Sequence, residues 1–419
     1  MLKSKFKQPQ ALPKYLHGEQ KVSDEVNPDH IYYDIVITNL QSTTTVPPTL
    51  YYNESRNNPY LPVSGDYNLS IVRFELDTQT LPVFSPLIQP NQPDVDLTTF
   101  SITMSYDVGA TTINSDQTFL RWFPQDESAP VPVPPSQTVS GYEDNSTGYY
   151  NAYNFQWVIY LVDLAITSAF NSLTANVIAG GGVMPTVHRP IMSWDTQNNI
   201  ACLTADSSAF NRSLANPILM YFNAPLFTLF STFVARYLGY QNVLLGKNYL
   251  LIIDGFLGTN TILLPTNEIP ANQYVATQVF QERPSINCWS PISSIVFCSN
   301  TLPIVSNNLS APLVFSENIT LTQGNASGNN SNFAQIITDM SVGDNQYSPY
   351  VLYNPTAEFR RISMFGSAPL TNIDISVFWK DKLGVLRPFR LSSGGSCSIK
   401  ILFEKKDVNN KRSSIFVDN

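Results

Sequence analysis

The feature that most constrains the fold is a repeated alternation of short apolar runs with turn sequences. Residues 31–40 alternate β-branched and polar side chains, and similar runs occur at 69–76, 100–106 and 119–123. Between them lie Pro47-Pro48, Asn57-Asn58-Pro59, Ser64-Gly65-Asp66 and Gln89-Pro90-Asn91. Proline, glycine and asparagine bias the backbone toward turns and away from helix. The rhythm therefore predicts an all-β protein built from antiparallel strands.

The strand pattern returns in the second half of the chain. The predicted strands there are 249–253, 274–280, 295–298, 313–315, 373–379, 389–391 and 397–403. The sequence 70–74, followed by Thr80-Leu81-Pro82-Val83, resembles 294–297, followed by Thr301-Leu302-Pro303-Ile304. This internal similarity, with about 16 to 18 strands, favours two tandem eight-stranded sandwiches, a double jelly roll, with a boundary near 239–246. A coincidental similarity between two apolar strands is the alternative.

Two segments interrupt the strand pattern with helical spacing. From Tyr153 to Leu173, apolar side chains recur on adjacent faces, which predicts a helix buried on one side. Its continuous apolar part is about half the roughly 20 residues that a membrane span requires, and Asp163 lies within it, so we expect no span. The segment 218–238 predicts a strand that leads into a short helix ending at Gly239.

Charged residues are unusually scarce in this chain. They make up 13% of the sequence, whereas soluble domains usually carry about 25%. Tyrosine, phenylalanine and proline are abundant instead, with 21, 24 and 30 copies. Surfaces of this composition suit contact with other protein, so we expect extensive subunit contacts. The alternative is a neutral secreted β protein that remains monomeric.

The basic residues at the two ends indicate a further role. The net charge of −8 argues against a general basic field that would attract nucleic acid. Lys3, Lys5, Lys7 and Lys14 nevertheless make the N-terminal arm locally positive, as do Lys405, Lys406, Lys411 and Arg412 near the C-terminus. We expect these segments to dock on a neighbouring subunit or to contact the genome weakly. A solvated tail is the simpler alternative.

The sequence contains none of the short motifs that mark common catalytic sites. His17, His30 and His188 provide little material for acid-base chemistry. The acidic loop Asp94-Val95-Asp96 offers only two local carboxylates, too few for a calcium site by itself. The widely spaced cysteines predict free buried thiols: Cys202, Cys288, Cys298 and Cys397. We therefore expect no catalytic residues, no cofactor and no metal site.

Several segments resemble coat proteins of icosahedral DNA viruses in the adenovirus, polinton-like virus and virophage group. The similar segments are 373–381 with Gly384, 398–403, Trp289-Ser290-Pro291-Ile292 leading to Leu302-Pro303-Ile304, and Arg56-Asn57-Asn58-Pro59 with Arg73-Phe74. The resemblance implies a sandwich that stands in the shell, with loops and helices at one end and flexible termini that lock neighbours together. Double-sandwich members form trimers, and single-sandwich members form the pentamers at the vertices.

These observations predict a structural capsid protein of an icosahedral virus shell, not an enzyme. The expected organisation is a basic arm at 1–29, sandwiches at 30–245 and 246–406, and a tail at 407–419, with the 153–173 helix in the first sandwich. The expected partners are copies of itself, as a homotrimer, and other capsid proteins. A vertex pentamer is the alternative, and a carbohydrate-binding or hydrolysing β-sandwich protein is the alternative from another class. The lack of an apolar leader predicts a protein made without secretion. The resemblance implies that it is located in the virion capsid.

Overall fold

The structure is a computed structural model of the 419-residue chain. It describes residues 29–40, 48–89, 94–125, 148–239, 244–254, 275–305, 313–314, 335–341, 350–353, 360–382 and 384–406. The N-terminal arm, the proline-rich segment 128–135 and the tail 407–419 lie outside the described residues.

Twenty strands and three α-helices occur in the described residues. The strands up to the longest helix are β1 (His30–Thr38), β2 (Tyr51–Ser55), β3 (Tyr67–Asp77), β4 (Leu97–Val108), β5 (Thr111–Asn114) and β6 (Thr118–Arg121). The middle elements are α1 (Phe155–Ala179), β7 (Ile191–Asp195), β8 (Ile200–Asp206), α2 (Ser207–Phe210), β9 (Leu219–Phe222), α3 (Ala224–Leu229), β10 (Ala235–Tyr237), β11 (Tyr249–Leu251) and β12 (Ala276–Phe280). The last strands are β13 (Ile292–Ser299), β14 (Leu313–Val314), β15 (Gln335–Met340), β16 (Tyr350–Tyr353), β17 (Ile362–Ser363), β18 (Asn372–Asp381), β19 (Val385–Pro388) and β20 (Ser396–Lys405).

The two ends of the chain build one sandwich. Its first sheet has the order β1-β20-β3-β16, and its second contains the order β2-β18-β13-β15, with all these pairs antiparallel. In the first sheet, β17 also pairs with β3. In the second sheet, β19 pairs with β18, and β14 pairs with β19 in parallel. These eight principal strands connect in the order of a jelly roll. The prediction of a mostly antiparallel β-sandwich is confirmed.

Buried and more exposed residues alternate along these segments, which explains why they form strands with one face on a core. In β20, Cys397, Ile399, Ile401 and Phe403 are buried, and the side chains between them are mostly half-exposed. In β3 the same alternation buries Leu69, Ile71, Phe74 and Leu76, with a shift in register opposite Lys400 and Ile401. Because successive side chains point to opposite faces of a strand, this pattern places one apolar face inside and leaves the other for solvent or for a neighbour.

A second domain is inserted between β3 and β13. Its core draws on residues 83–289 and is separate from the sandwich core, which draws on 31–81 and 292–403. The inserted domain contains the sheets β10-β11-β9-β4-β5, to which β6 also pairs, and β12-β8-β7. Helix α1 packs on strands of both sheets, including β4, β6 and β7. The chain therefore folds as one sandwich that carries a continuous inserted domain.

This nested arrangement corrects the tandem division. The boundary predicted at 239–246 falls inside the inserted domain and does not separate the two cores. β1 pairs with β20 over its whole length, from His30 with Glu404 to Thr38 with Ser396. Local periodicity reports which residues form strands, but it carries no information about pairing across more than 350 positions.

The internal similarity between 70–74 and 294–297 also has a different meaning from duplication. The first segment belongs to β3 and the second to β13, which lie in opposite sheets of the same sandwich. The rings of Phe74 and Phe297 meet across the core with centroids 5.1 Å apart. Leu81 and Leu302, from the two Leu-Pro corners, are buried in that same core. Both segments are apolar strands of the sandwich, and each is followed by a turn with a Leu-Pro sequence.

Helix α1 is the core helix that the sequence predicted, although it ends later. Asn154 caps it by accepting a hydrogen bond from the Trp157 backbone N–H at 2.8 Å. The helix continues to Ala179, past the predicted end at Leu173, because Val177 is also buried and Asn176 donates a hydrogen bond to the Asn114 carbonyl at 2.9 Å. Its length and composition would allow it to cross a membrane, but half of its most apolar window is buried inside the protein.

Candidate assembly surfaces

The inserted domain and the chain termini lie at opposite ends of the sandwich strands. Tyr67, at the start of β3, pairs with Lys405, and the Lys405 backbone N–H donates a hydrogen bond to the Asp29 carbonyl at 2.9 Å. β3 ends at Asp77, from which the chain enters the inserted domain. With 11 residues at about 3.3 Å each, β3 separates these two ends by about 33 Å. The molecule therefore has one terminal end and one insertion end.

A buried ion pair fixes the terminal end. The Glu404 side chain is buried, with its carboxylate 2.8 Å from Arg361 Nε and 3.4 Å from His30 Nε2. Beside it, Lys406 Nζ donates a hydrogen bond to the Met364 carbonyl at 2.7 Å, and its backbone N–H bonds to the Asp66 carbonyl. A buried charge requires such partners. Both termini thus leave the sandwich from one anchored place, which we call the terminal corner (Asp29, His30, Glu404, Lys405 and Lys406).

The side of the first sheet that faces away from the core forms a mixed apolar and charged surface. We call it the outer face, and it consists of Tyr32, Asp34, Val36, Arg73, Glu75, Leu352, Lys400 and Leu402. Tyr32 is 58% exposed, Val36 66% and Leu352 51%. Tyr32 and Val36 lie on β1 and Leu352 lies on β16, so exposed apolar side chains occur on both edge strands of this sheet, as is typical of a surface that another protein covers.

A row of charges crosses the outer face perpendicular to the strands. Asp34, Lys400 and Arg73 are register partners on β1, β20 and β3. Lys400 Nζ lies 3.4 Å from Asp34 Oδ2, and Arg73 Nε lies 3.8 Å from Glu75 Oε1. Tyr350 adds a hydrogen bond of 2.7 Å from its hydroxyl to Glu75. The row carries no net charge, and each charged group that loses water on contact with another protein keeps an opposite charge beside it.

The opposite sheet presents a second, more polar surface. In β2, Tyr51, Asn53 and Ser55 are exposed, whereas Tyr52 and Glu54 are half-buried. Asn372 of β18 donates hydrogen bonds to Asn53 at 3.0 Å and to Ser55 at 2.6 Å. The two outer surfaces of the sandwich therefore face in opposite directions.

A cluster of tyrosines around one ion pair closes the edge of the sandwich. The Arg56 guanidinium lies 4.8 Å from the Tyr60 ring centroid and 5.3 Å from that of Tyr33, and its Nε is 2.7 Å from Glu54. Hydrogen bonds from Arg56, Tyr33 and Tyr52 lower the pKa of Glu54 to about 2. Burial and the hydrogen bond to Glu54 raise the pKa of Tyr52 to about 12. The cluster keeps its protonation state between these limits, which suits a structural closure better than acid-base chemistry.

Another buried carboxylate holds the turn before the Leu302-Pro303 corner. Asp374 is fully buried and accepts hydrogen bonds from the side chains of Ser299 and Thr301 and from the backbone N–H groups of Asn300 and Thr301. Burial alone would raise the pKa of Asp374, but these hydrogen bonds outweigh it and the pKa is lowered. The strand pattern predicts β18 but no role for Asp374. The available signal is an aspartate between two isoleucines, Ile373 and Ile375.

The acidic loop and the histidine considered from sequence have ordinary partners. Asp94 Oδ2 lies 2.8 Å from Arg121 Nη1, and Asp96 Oδ2 lies 3.5 Å from Arg121 Nη2. The backbone N–H of His188 bonds to Thr186 Oγ1 at 3.0 Å. In the described part of the chain, no three His, Cys, Asp or Glu side chains are grouped so that they could hold a metal ion.

The cysteines are free, as predicted, but they differ in burial. Cys202, Cys298 and Cys397 are buried, and Cys288 is exposed. Burial raises the pKa of the Cys202 thiol to about 11 and the pKa values of Cys298 and Cys397 to about 12. The three buried thiols are therefore protonated and unreactive at neutral pH.

A jelly roll with a large inserted domain is an architecture that occurs among viral capsid proteins, and its buried polar clusters in the described residues hold turns and edges of the fold. Comparison with known proteins identifies the family. The model of the Sputnik minor capsid protein V18/19 family matches residues 31–405. The chain belongs to this family.

Two curated proteins of Sputnik virophage are similar to parts of the chain. Structural protein V19 is 29% identical over 216 residues, which cover 52% of this chain and 94% of V19. Uncharacterized protein V18 is 29% identical over 157 residues, which cover 37% of this chain and 91% of V18. Each relative is thus matched over most of its own length and is shorter than this chain.

Solved structures agree with this assignment. A chain in the cryo-EM structure of Sputnik virophage aligns with a TM-score of 0.74 at 26% identity, covering 91% of this chain and 99% of that one. The crystal structure of the mavirus penton protein shares the fold, with a TM-score of 0.54 at 14% identity, covering 90% and 99%. The prediction of a structural capsid protein of the virion, not an enzyme, is confirmed. The carbohydrate-binding alternative receives no support from these relatives.

Proposed function

We propose that the chain forms the pentameric capsomer at the vertices of the virion shell. The observation that carries this proposal is the single jelly roll: one chain supplies one sandwich, with an inserted domain in place of a second sandwich. The expectation of a trimer depends on two tandem sandwiches in one chain, whereas the fold has one sandwich with an inserted domain. The family description as a minor capsid protein and the shared fold of a penton protein support the same choice.

The outer face supplies one side of the contact between neighbouring subunits. A five-membered ring is closed by head-to-tail contacts, in which each subunit uses two different surfaces. The outer face and the exposed side of β2 point in opposite directions, so they fit this requirement. Tyr32 and Val36 provide the apolar area, and the balanced charge row fixes the register.

The terminal corner directs the basic segments toward one side of the shell. Asp29, which follows the segment that contains Lys3, Lys5, Lys7 and Lys14 in the sequence, is hydrogen-bonded to Lys405. We assign the arm as a tether that docks on a neighbouring capsid protein, with weak genome contact as its second role. The insertion end then faces away from the genome.

Electron microscopy of the purified oligomer tests the symmetry. We expect rings of five subunits with a mass five times the chain mass of 46.7 kDa. Three-fold particles, or a monodisperse monomer at all concentrations, would refute the vertex assignment.

Two valine substitutions test the contact surface separately. Val36→Lys places an amine on the outer face, and we expect loss of the pentamer because the charge would be buried without a partner. Val187→Lys is the matched control, since Val187 is 86% exposed on the inserted domain. A pentamer that survives Val36→Lys in sedimentation measurements would remove the outer face from the contact.

Replacing Lys3, Lys5, Lys7 and Lys14 together with glutamine tests the arm. We expect pentamers to form but to incorporate less well into shells, and the salt dependence of DNA binding to become less steep by about 0.9 for each phosphate contact that is lost. Unchanged shell incorporation together with an unchanged salt slope would leave the arm as a solvated tail.

A further inference from the structure

A group of exposed aromatic side chains surrounds the start of α1 in the inserted domain. Phe123 is 40% exposed, Tyr153 42% and Tyr160 50%. The Trp157 and Tyr160 rings lie with their centroids 5.4 Å apart at 38°, and Trp157 Nε1 donates a hydrogen bond to the Phe123 carbonyl at 3.1 Å. We call these four residues the aromatic patch.

The folded structure fixes this patch in place. Trp157 is half-buried and packs against the inserted core, and its indole N–H is already used by the Phe123 carbonyl. Tyr153 is held by its backbone N–H, which bonds to Gln125 Oε1 at 2.7 Å. The Trp157 side chain and the backbone at Phe123 and Tyr153 are therefore held in place before binding, which lowers the entropic cost of docking on them.

The aromatic patch lies close to both ends of the stretch 126–147, which contains a proline-rich sequence and lies outside the described residues. The described residues stop at Gln125 and continue from Gly148. Gln125 touches the patch through Tyr153, and the next residues after the gap are held nearby, since Trp122 Nε1 bonds to the Tyr149 carbonyl at 3.0 Å. Between these points the sequence reads Ser128-Ala129-Pro130-Val131-Pro132-Val133-Pro134-Pro135. This stretch carries no charged side chain.

We propose that the aromatic patch binds the proline-rich segment 128–135 of the same chain in a polyproline II conformation. Proline-rich segments bind aromatic surfaces because their conformation is largely set before binding and their rings pack flat on aromatic faces. With three residues per turn, Pro132 and Pro135 present their rings on one side. The five residues from Gln125 to Pro130 can reach up to roughly 17 Å, enough for the segment to return over the patch.

The proposal is independent of the oligomeric state, because patch and segment both belong to the inserted domain. It assigns a role to a sequence that the capsid contact does not use. Docking of the segment would cover aromatic area at the insertion end, which the proposed orientation places outside the shell, and so prevent non-specific association there.

A replacement experiment tests the docking. In the full chain, residues 128–135 are replaced by eight glycine and serine residues, and a labelled synthetic peptide of residues 127–137 is titrated by fluorescence anisotropy. We expect saturable binding to the replaced chain and at least tenfold weaker binding to the natural chain, whose patch is occupied. A peptide in which Pro132 and Pro135 are replaced by glycine should bind at least tenfold more weakly.

Substitutions within the replaced chain locate the site. Tyr160→Ala should weaken peptide binding at least fivefold, and Tyr160 is exposed enough for the domain to fold without it. Trp157→Ala is the second variant, and Tyr237→Ala, an exposed tyrosine elsewhere on the inserted domain, is the control. Absence of saturable binding to the replaced chain, or binding that Tyr160→Ala and Trp157→Ala leave unchanged, overturns the proposal.

Crosslinking distinguishes docking within a chain from exchange between chains. Cysteines placed by Val131→Cys and Gln156→Cys, an exposed position of α1 beside the patch, should form a disulfide within one chain under mild oxidation when the exposed Cys288 is replaced by serine. A disulfide that joins two chains would show that the occupant is the segment of a neighbour and would refute docking in the same chain.

Discussion

The sandwich and the inserted domain build their buried cores from differently arranged parts of the chain. The sandwich pairs its first strand with its last, so its core combines 31–81 with 292–403. The inserted domain is continuous and closes its own core around α1 with residues 83–289. The difference shows that the sandwich depends on both ends of the polypeptide, whereas the inserted domain depends on one uninterrupted stretch. The two regions should therefore respond differently to changes at the chain ends.

The largest expected effect is that of removing β20. A chain that stops at Gly395 loses the strand between β1 and β3, which leaves two long edges and half of a core exposed. We expect the sandwich to unfold while the inserted domain stays folded. Limited proteolysis with mass spectrometry should show a resistant fragment near 83–289. A chain that stops at Lys406 is the control, and equal resistance of the two chains would contradict the nested organisation.

The next effect is that of a cavity in one core. Phe297 is fully buried against Phe74, and Phe297→Ala should destabilise the sandwich by about 3–5 kcal/mol. Labelling of native thiols reports each region, because Cys397 lies in the sandwich core and Cys202 in the inserted domain. Cys397 should label faster in the variant and Cys202 should not. Phe222→Ala, at a fully buried position in the inserted core, should reverse that preference.

A smaller effect is expected from the buried carboxylate of β18. Asp374→Asn weakens charge-assisted hydrogen bonds to the 299–301 turn, which should cost about 1.5–3 kcal/mol at neutral pH. Because the pKa of Asp374 is lowered in the folded state, its stabilisation is present above about pH 4 and is lost as the pH falls through the folded-state value. Denaturant unfolding between pH 2 and 7 should therefore show less pH dependence in the variant. Asp34→Asn, at an exposed position, is the control.

The smallest effects are expected from exposed ion pairs in either region. Arg73→Ala on the outer face and Arg121→Ala, which removes the partner of Asp94 in the inserted domain, should each change the free energy of unfolding by less than about 1 kcal/mol. Urea unfolding of the dissociated subunit measures both. A larger loss for Arg73→Ala would mean that the charge row stabilises the sandwich itself and not only its contacts.

Much of the secondary structure was predictable because local patterns determine it. The strands at 69–76, 373–379 and 397–403 correspond to β3, β18 and β20 with small shifts at their ends. The segment 218–238 does contain a strand and a short helix, but α3 ends at Leu229 and β10 follows. The helix was predicted too long because apolar residues continue through a turn at Phe230, where propensity alone gives no stop signal.

The assembly surfaces were only partly visible in the sequence. Scarce charge predicted extensive contacts, but it did not show that Tyr32, Val36 and Leu352 share one face of one sheet, since only the fold brings β1 and β16 into that sheet. The four arm lysines at positions 3, 5, 7 and 14 remain a prediction, because they lie outside the described residues. The shared exit of both termini at the terminal corner had no sequence signal.

The sequence by itself determined the all-β character, the buried helix and the lack of an evident catalytic motif, because side-chain periodicity and turn residues act over a few positions. The tertiary structure alone decided that the strands form one jelly roll with an inserted domain and not two sandwiches in series. Strand pairing is set by the burial of whole sheet faces, and the free energy of that burial depends on contacts between residues hundreds of positions apart.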